Sequence, residues 1–322
     1  MKEGTLFMNN RILLLYNPKA GKGLFLQHLP QVLDLFTKAG FSVEVYPTQA
    51  PGDAVKKIER LADDYYMVVP AGGDGTLDEV VTGMIRSGRH IPIGYIPVGS
   101  TNDYAASLGL SKNVLEAVGD IIAGSPTGVD VGIFNMEHVF IYVAAFGAFT
   151  EVSYETNQDM KNALGHVAYI IEATKRLGDL KSYQIKITTS EKTIENDYIF
   201  GMVTNSTSVG GIKHITGRGV ELDDGLFEVT MVHNPKNIFE MQEIVGALMT
   251  QNYDTQLIDF FRTDWIELSS ETEIPWTFDG EYGGVWTNVR VDNRKRALSL
   301  ILDDSNETLQ DVLSSKKQEE GN

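Results

Sequence analysis

The sequence predicts two regions of different fold class: a doubly wound α/β domain over residues 1–128, and a C-terminal antiparallel β-sandwich or curved sheet over 129–302. Three observations carry this. Up to about residue 124, short apolar runs alternate with segments of helical spacing, the pattern of a parallel sheet covered on both faces. From Val129 onward, strand-like runs follow one another with Asp-Gly turns between them and only two helical interruptions. The 322 residues, 42% of them hydrophobic, are enough for two separate cores.

In chain order, residues 12–16 (Ile-Leu-Leu-Leu-Tyr) read as a buried strand ending in the turn Asn17-Pro18-Lys19-Ala20-Gly21-Lys22-Gly23. A helix follows, with Leu26, Leu29, Val32, Leu33 and Phe36 expected on one face and Gly40 closing it. Residues 41–46 alternate as a second strand, 48–53 form a turn, and 54–62 are helical. Residues 65–69 (Tyr-Tyr-Met-Val-Val) make the central strand. It runs into the glycine turn at 70–76 and a helix carrying Leu77, Val80, Val81, Met84 and Ile85. Residues 91–97 read as a further strand, ending at Gly99-Ser100-Thr101-Asn102-Asp103, whose polar side chains suit a helix N-cap. One more helix is expected over 114–123. In the second region, strands are expected at 129–134, 138–146, 183–189, 194–204, 226–232, 264–270, 274–278 and 297–302, and helices at about 160–178 and 235–250. Residues 306–313 read as a short helix, with about 303–322 expected to pack back on the first domain.

Composition narrows the function classes. There is no cysteine, which excludes disulfides and thiolate metal sites. Lys and Arg number 27 against 44 Asp and Glu, a net charge of -17, so nucleic acid is not an expected partner and any contact with anionic lipid must be local. Candidates for such a local rim are Lys161, Lys175, Arg176, Lys181, Lys213 and Arg218. The first ten residues have no secretory apolar region, and the longest apolar run, 139–149, is about eleven residues against the ~20 of a membrane-spanning helix. The histidines form no zinc-binding pair, and no G-x-S-x-G hydrolase turn occurs.

The residues that carry chemistry lie at strand ends. Gly72, Gly73 and Gly75 leave room for a ligand to approach the backbone, and the turn opens onto a helix N-terminus, which favours phosphate. Asp74 in that turn would repel phosphate unless a divalent cation or a proton sat between them, which suggests Mg²⁺. The loops 17–23, 72–76 and 99–103 are all at carboxyl ends of parallel strands, where open α/β sheets bind ligands. The first loop lacks P-loop spacing and the dinucleotide fingerprint is absent. In the second region, the Asp279-Gly280 turn pushes Glu281 out at a rim, where it could take a proton from a substrate hydroxyl. Glu221-Leu222-Asp223-Asp224-Gly225-Leu226 could be a hard-cation turn or an ordinary hairpin turn.

Taken in order, Asn17-Pro18-Lys19-Ala20-Gly21, the run from Gly72 to Val81, the run from Gly99 to Ala105, Leu222-Asp223-Asp224-Gly225 and Asp279-Gly280-Glu281 resemble the diacylglycerol kinase catalytic domain, in particular the soluble bacterial lipid kinases. The resemblance covers about residues 11–302. It implies an NAD kinase/phosphofructokinase-like nucleotide domain and a β-sandwich lipid-substrate domain, with the active site in a cleft between them. It implies ATP and Mg²⁺, transfer of the γ-phosphoryl group to a lipid hydroxyl, diacylglycerol as the leading acceptor, and transient peripheral contact at the inner face of the membrane from the cytoplasm. A homodimer is compatible with it.

By matching positions, the resemblance assigns ATP contacts to Asn17, Pro18, Lys19, Ala20, Gly21, Thr48, Gly72, Gly73, Asp74, Gly75, Thr76, Leu77, Asp78, Glu79 and Ser100. Glu281 takes the general-base position, working with Asp74. An additional Mg²⁺ falls on the side chain of Asp224 and the carbonyls of Glu221 and Leu226. Three departures stand out: Asp78 where the family usually has Asn, Ser100 for a usual Thr, and Arg218 and Val220 before the Asp-Asp-Gly turn in place of Pro and Ala. An NAD kinase-like enzyme and a non-catalytic nucleotide-sensing module are the alternative readings.

Overall fold

The structure is a computed structural model that describes residues 10–61, 65–148, 180–210, 212–213, 216–217, 219–303, 305 and 307–313. These residues divide into two compact units. The first holds the chain up to Ala105, then Leu110–Gly128, and the stretch that begins at Leu298; the second holds Ala106–Gly109, Val129–Ala297 and the chain from Glu307.

In the first unit, β1 (Arg11–Tyr16), β2 (Ser42–Pro47), β3 (Met67–Gly72) and β4 (Ile96–Pro97) form a parallel sheet in the order β2-β1-β3-β4. β3 is buried at every position, as its unbroken apolar run requires of a strand covered on both faces. α1 (Leu24–Lys38) packs on α5 (Val114–Ala123), and both cover the face that carries Ile12, Leu14, Met67 and Val69. The alternate residues Leu13, Leu15 and Val68 face the other way. α2 (Asp53–Glu59) packs on α3 (Asp74–Ser87), where a Cβ on Gly83 would lie 2.7 Å from Ile58 Cβ, so only glycine permits that approach. α4 (Asp103–Ser107) follows the third loop.

Details of this unit differ from expectation. α1 buries Val32 and Phe36 as expected, but in its first turn Phe25 is buried and Leu26 is exposed. α2 ends at Glu59. The strand expected over 91–97 is regular only at β4. Pro92 lacks an N–H donor, which interrupts the ladder, and Ile93 makes isolated parallel bridges to Val68 and Leu300.

The second unit contains a sheet in the order β13-β12-β9-β7-β14-β15-β5-β6, with β8 pairing β14 and β9. Its strands are β5 (Ser125–Phe134, the first four residues of which belong to the first unit), β6 (His138–Phe140), β7 (Val143–Gly147), β8 (Tyr183–Thr188), β9 (Thr193–Thr204), β12 (Phe227–His233), β13 (Ile258–Thr263), β14 (Trp265–Phe278) and β15 (Glu281–Leu302, which belongs to the first unit from Leu298). β10 (Ser208–Val209) and β11 (Ile212–Lys213) form a separate small hairpin. The pairings β12–β13, β12–β9, β7–β9, β7–β14 and β14–β15 are antiparallel. An aromatic core built on Phe134, Phe140, Phe146, Tyr183, Phe227 and Trp276 fills this unit. α6 (Ile238–Thr250), capped by Asn237, packs Met241 and Ile244 against Ile199 and Val232.

Here too the sequence reading needs correction. β13 was not expected, β14 joins two expected strands, and β15 runs over 22 residues where only 297–302 were expected. The helix expected at 160–178 lies outside the described residues. α7 (Glu307–Val312) groups with the second unit, not the first: the Leu222 N–H donates to the Val312 carbonyl at 2.7 Å, and Leu309 and Val312 are buried. Among the described residues no helix is long and apolar enough to cross a membrane.

Candidate functional site

The first unit brings its three loops together at the carboxyl ends of β1, β3 and β4. The first loop is tied to β3 by the Asn17 N–H, which donates to the Ala71 carbonyl at 3.1 Å. Asn17 Oδ1 accepts the Lys19 N–H at 2.9 Å, folding Pro18 and Lys19 into a turn that enters a 3-10 segment at Ala20–Gly23. Gly21 has φ +55°, and a Cβ there would lie 2.2 Å from the Val98 carbonyl oxygen, so the first and third loops touch through backbone alone. The second and third loops meet the same way: a Cβ on Gly99 would be 2.5 Å from Gly73 Cα. Gly72 is folded under Thr76, whose Oγ1 would be 2.3 Å from any Cβ at that position.

Asn102, at φ +55°, pins the third loop by accepting the Gly99 N–H and donating to the Gly99 carbonyl, both at 2.9 Å. The buried Tyr95 hydroxyl donates to the Gly72 carbonyl at 3.2 Å. Burial and the nearby Asp74 charge push the Tyr95 phenol well above its ordinary range. Thr48 closes the group from β2, its N–H donating to the Tyr16 carbonyl at the end of β1 at 2.9 Å. Ser100 is exposed at the loop tip.

Asp74 opens α3, and its carboxylate crosses to the third loop. It accepts the N–H of Asp103 at 3.1 Å and of Tyr104 at 3.4 Å, so it caps α4 from outside the helix. Burial pushes its carboxyl up from 3.8 to about 6; those N–H groups oppose the rise and the Asp103 charge adds to it. At neutral pH it is therefore ionised. A carboxylate has about four lone-pair sites, and the loop N–H groups leave capacity for a hard cation. At the start of α3 the Thr76 and Leu77 N–H groups turn back to the Gly73 carbonyl, at 3.0 and 3.2 Å. By helix geometry those of Asp74 and Gly75 have no intrahelical acceptor, which leaves them to an anion.

Two of the remaining expected positions on α3, Leu77 and Glu79, make scaffold contacts in this structure. Leu77 is buried in the core. Glu79 reaches α2, accepting the N–H of Gly52 at 2.8 Å and of Ala54 at 3.1 Å, so both its oxygens cap that helix. Asp78 is half-buried beside it.

In the second unit, Glu281 is exposed at the first position of β15, cross-strand from Phe278. The turn before it is held by a residue whose role the sequence reading missed. Asp279, at φ +50° and buried, accepts three consecutive backbone N–H groups: Ile141 at 2.7 Å, Tyr142 at 3.0 Å and Val143 at 2.9 Å. Its own N–H returns to the Val143 carbonyl at 2.9 Å. The Asp-Gly dipeptide announces the turn, but nothing local announces a carboxylate partner about 137 residues away.

At the acidic turn, Asp224 Oδ1 accepts the Leu226 N–H at 2.8 Å and Oδ2 pairs with Arg262 Nη2. Arg262 Nε also donates to Glu228 Oε1 at 3.0 Å. Asp223 pairs with Arg296 at 2.9 Å. Asp130 accepts the Gly225 N–H at 2.6 Å and the Arg296 N–H at 2.7 Å; burial pushes its carboxyl up to about 6. Val220 is buried, and Arg218 lies outside the described residues. Among the described residues no group of three or more His, Asp or Glu side chains converges in metal-holding geometry. Of the basic residues expected at a lipid rim, Lys181 is exposed with its ammonium 4.9 Å from the Tyr183 ring centre; Lys161, Lys175, Arg176 and Arg218 lie outside the described residues, and nothing is described of the Lys213 side chain.

Comparison with known proteins bears on the family and the fold. Residues 11–134 match the diacylglycerol kinase catalytic domain, and residues 143–302 match the YegS C-terminal NAD kinase beta sandwich-like domain. The chain is 35% identical over 279 residues to a diacylglycerol kinase of Staphylococcus carnosus, covering 86% of this chain and 90% of that protein. It is 31% identical over 278 residues to a diacylglycerol kinase of Bacillus subtilis, covering 85% and 91%. A crystal structure of a diacylglycerol kinase from Bacillus anthracis superposes with a TM-score of 0.73 at 22% identity, over 92% of this chain and 98% of that one. An NAD kinase from Archaeoglobus fulgidus in complex with ATP shares the fold at a TM-score of 0.50 and 12% identity, over 91% and 94%. Both matched regions lie in one chain in the order the motifs run, over most of the length of its curated relatives, and on that ground the chain belongs to the bacterial diacylglycerol kinase family.

Proposed function

We propose that the protein is an ATP- and Mg²⁺-dependent lipid kinase that phosphorylates the free hydroxyl of diacylglycerol to give phosphatidic acid. The observation that carries the reading is the side-chain-free junction of the three loops, Gly21 against Val98 and Gly73 against Gly99, beside the open N-terminus of α3. Backbone N–H groups there suit a polyphosphate. In this reading Asn17 to Gly21, Thr48, Gly72 to Glu79 and Ser100 make the ATP site, with Leu77 and Glu79 acting through the scaffold they hold. Asp74 would hold the Mg²⁺, which when bound offsets the charge of the polyphosphate next to that carboxylate.

Glu281, kept in place by the Asp279 turn, takes the proton of the acceptor hydroxyl. The acceptor oxygen bonds to the γ-phosphorus, the bond from that phosphorus to the β,γ-bridging oxygen breaks, and ADP leaves. The reading requires Asp74 and Glu281 to serve one pair of substrates. Its lipid acceptor places the enzyme at the inner face of the membrane, in peripheral contact.

The test uses labelled ATP and diacylglycerol in mixed micelles, with products separated by thin-layer chromatography. Glu281→Ala is expected to lose about 10²–10⁴-fold in kcat while still binding ATP, as for removal of a general base. Asp74→Asn is expected to lose turnover and the Mg²⁺ dependence of ATP binding. Full turnover by either variant overturns the mechanism, and label in NADP rather than in a lipid redirects the substrate assignment.

A further inference from the structure

The resemblance to lipid kinases implies an additional Mg²⁺ on the side chain of Asp224, with the carbonyls of Glu221 and Leu226. The donor set in this chain does not fit one. A cation at Asp224 would have to share the carboxylate with a permanent positive charge: Oδ1 accepts the Leu226 N–H at 2.8 Å and Oδ2 is paired with the guanidinium of Arg262. Arg262 is fixed in turn. Its register on β13 sets it directly across from Glu228 on β12, and its Nε holds Glu228 Oε1 at 3.0 Å. The Glu228 side chain is 1% exposed and that of Asp224 13%. A divalent ion arriving at Asp224 would have to displace, or sit against, a planar, permanently charged group whose Nε is also hydrogen-bonded to the buried Glu228.

The rest of the turn is stitched by cations in the same manner. Arg296 donates its backbone N–H to Asp130 and its guanidinium to Asp223. The stem of Lys295 lies over Gly225, where an added Cβ would meet its Cδ at 3.1 Å.

We propose that the Arg262 guanidinium stands in for the additional metal that the resemblance implies, so that the 221–226 turn of this chain is held by an arginine and needs no divalent ion. Arg262 bridges two acids from one fixed side chain, as a bound ion would, but with directed hydrogen bonds. The proposal concerns this turn alone and stands apart from the kinase reading.

The experiment compares thermal unfolding of the full, nucleotide-free chain in EDTA and across a MgCl₂ and a CaCl₂ titration. The quantity read is the cation-induced rise in Tm of the wild type minus that of Asp224→Asn, which cancels ions bound elsewhere. The expected difference is zero. Arg262→Met, which keeps the stem and removes the charge, is expected to unfold earlier in EDTA and to gain a saturable rise of several degrees with either cation, lost again when Asp224→Asn is added. A larger rise in the wild type than in Asp224→Asn overturns the proposal, and so does an Arg262→Met protein that folds and shows no cation response beyond the wild type's. Should Arg262→Met not fold, the comparison of wild type with Asp224→Asn decides alone.

Discussion

Replacing Asp74 by Asn should separate the stability of the glycine turn from its chemistry. Burial raises the Asp74 carboxyl from 3.8 to about 6, a difference worth about 3 kcal/mol between its protonated and ionised forms. The sign is set by which state holds the proton. Between about pH 4 and pH 6 the folded protein keeps a proton that the unfolded chain has released, so the Asp74 contribution to stability falls as pH rises through that window and is level above it. Asn carries no such proton and resembles the neutral acid in size. The stability of Asp74→Asn relative to wild type should therefore improve by about 2 kcal/mol between pH 4 and pH 7, while phosphoryl transfer is lost. Urea unfolding of the nucleotide-free protein at a series of pH values measures this, with the m-value checked for constancy. A stability difference that stays level across that range would refute the reasoning, since the carboxyl would then titrate alike in the folded and unfolded chain. In the wild type, turnover that depends on ionised Asp74 should fall off below about pH 6, and added Mg²⁺ should move that limb to lower pH.

Other perturbations follow from single contacts. Glu79→Ala removes both acceptors from the N-terminus of α2 and should cost about 2–4 kcal/mol in the nucleotide-free protein, with Glu79→Gln recovering part of it. Calorimetry should show this as a lower Tm; an unchanged Tm with a raised KM for ATP would instead make Glu79 a direct nucleotide contact. Asp279→Ala strands three buried N–H groups of residues 141–143 and should cost about 3–5 kcal/mol, read by chemical denaturation, with faster amide exchange at those three positions. Exchange at 141–143 indistinguishable from wild type would show that Asp279 does not hold that segment.

The glycine turn could be read from the sequence because all of its parts are local. A β-branched run, three glycines and a 3-4 spaced apolar stripe lie within about twenty residues. The convergence of the three loops follows from the topology of a parallel sheet. The partners of the acids could not be read the same way. Asp74 caps a helix 29 residues on, and Glu79 caps one 25 to 27 residues back. Those pairings are fixed by packing, not by neighbours in the chain. Arg262 was hidden for a related reason: its strand, Ile-Asp-Phe-Phe-Arg-Thr, alternates poorly, and only the register against β12 brings it opposite Glu228. β15 extends beyond the expected strand, its length hidden because Gly283-Gly284 and the basic run 294–296 look like turn and loop. Its buried face needs only every second residue, such as Val289 and Val291.

The sharing of one carboxylate between two elements has a practical consequence. Since the backbone amides of Asp103 and Tyr104 are held by Asp74, any positive charge drawn to that oxygen pair must loosen its grip on them. Those two amide resonances become an internal gauge of loading: their proton shifts should move when a cation or a metal-nucleotide arrives, before any product is made and without a reporter group attached.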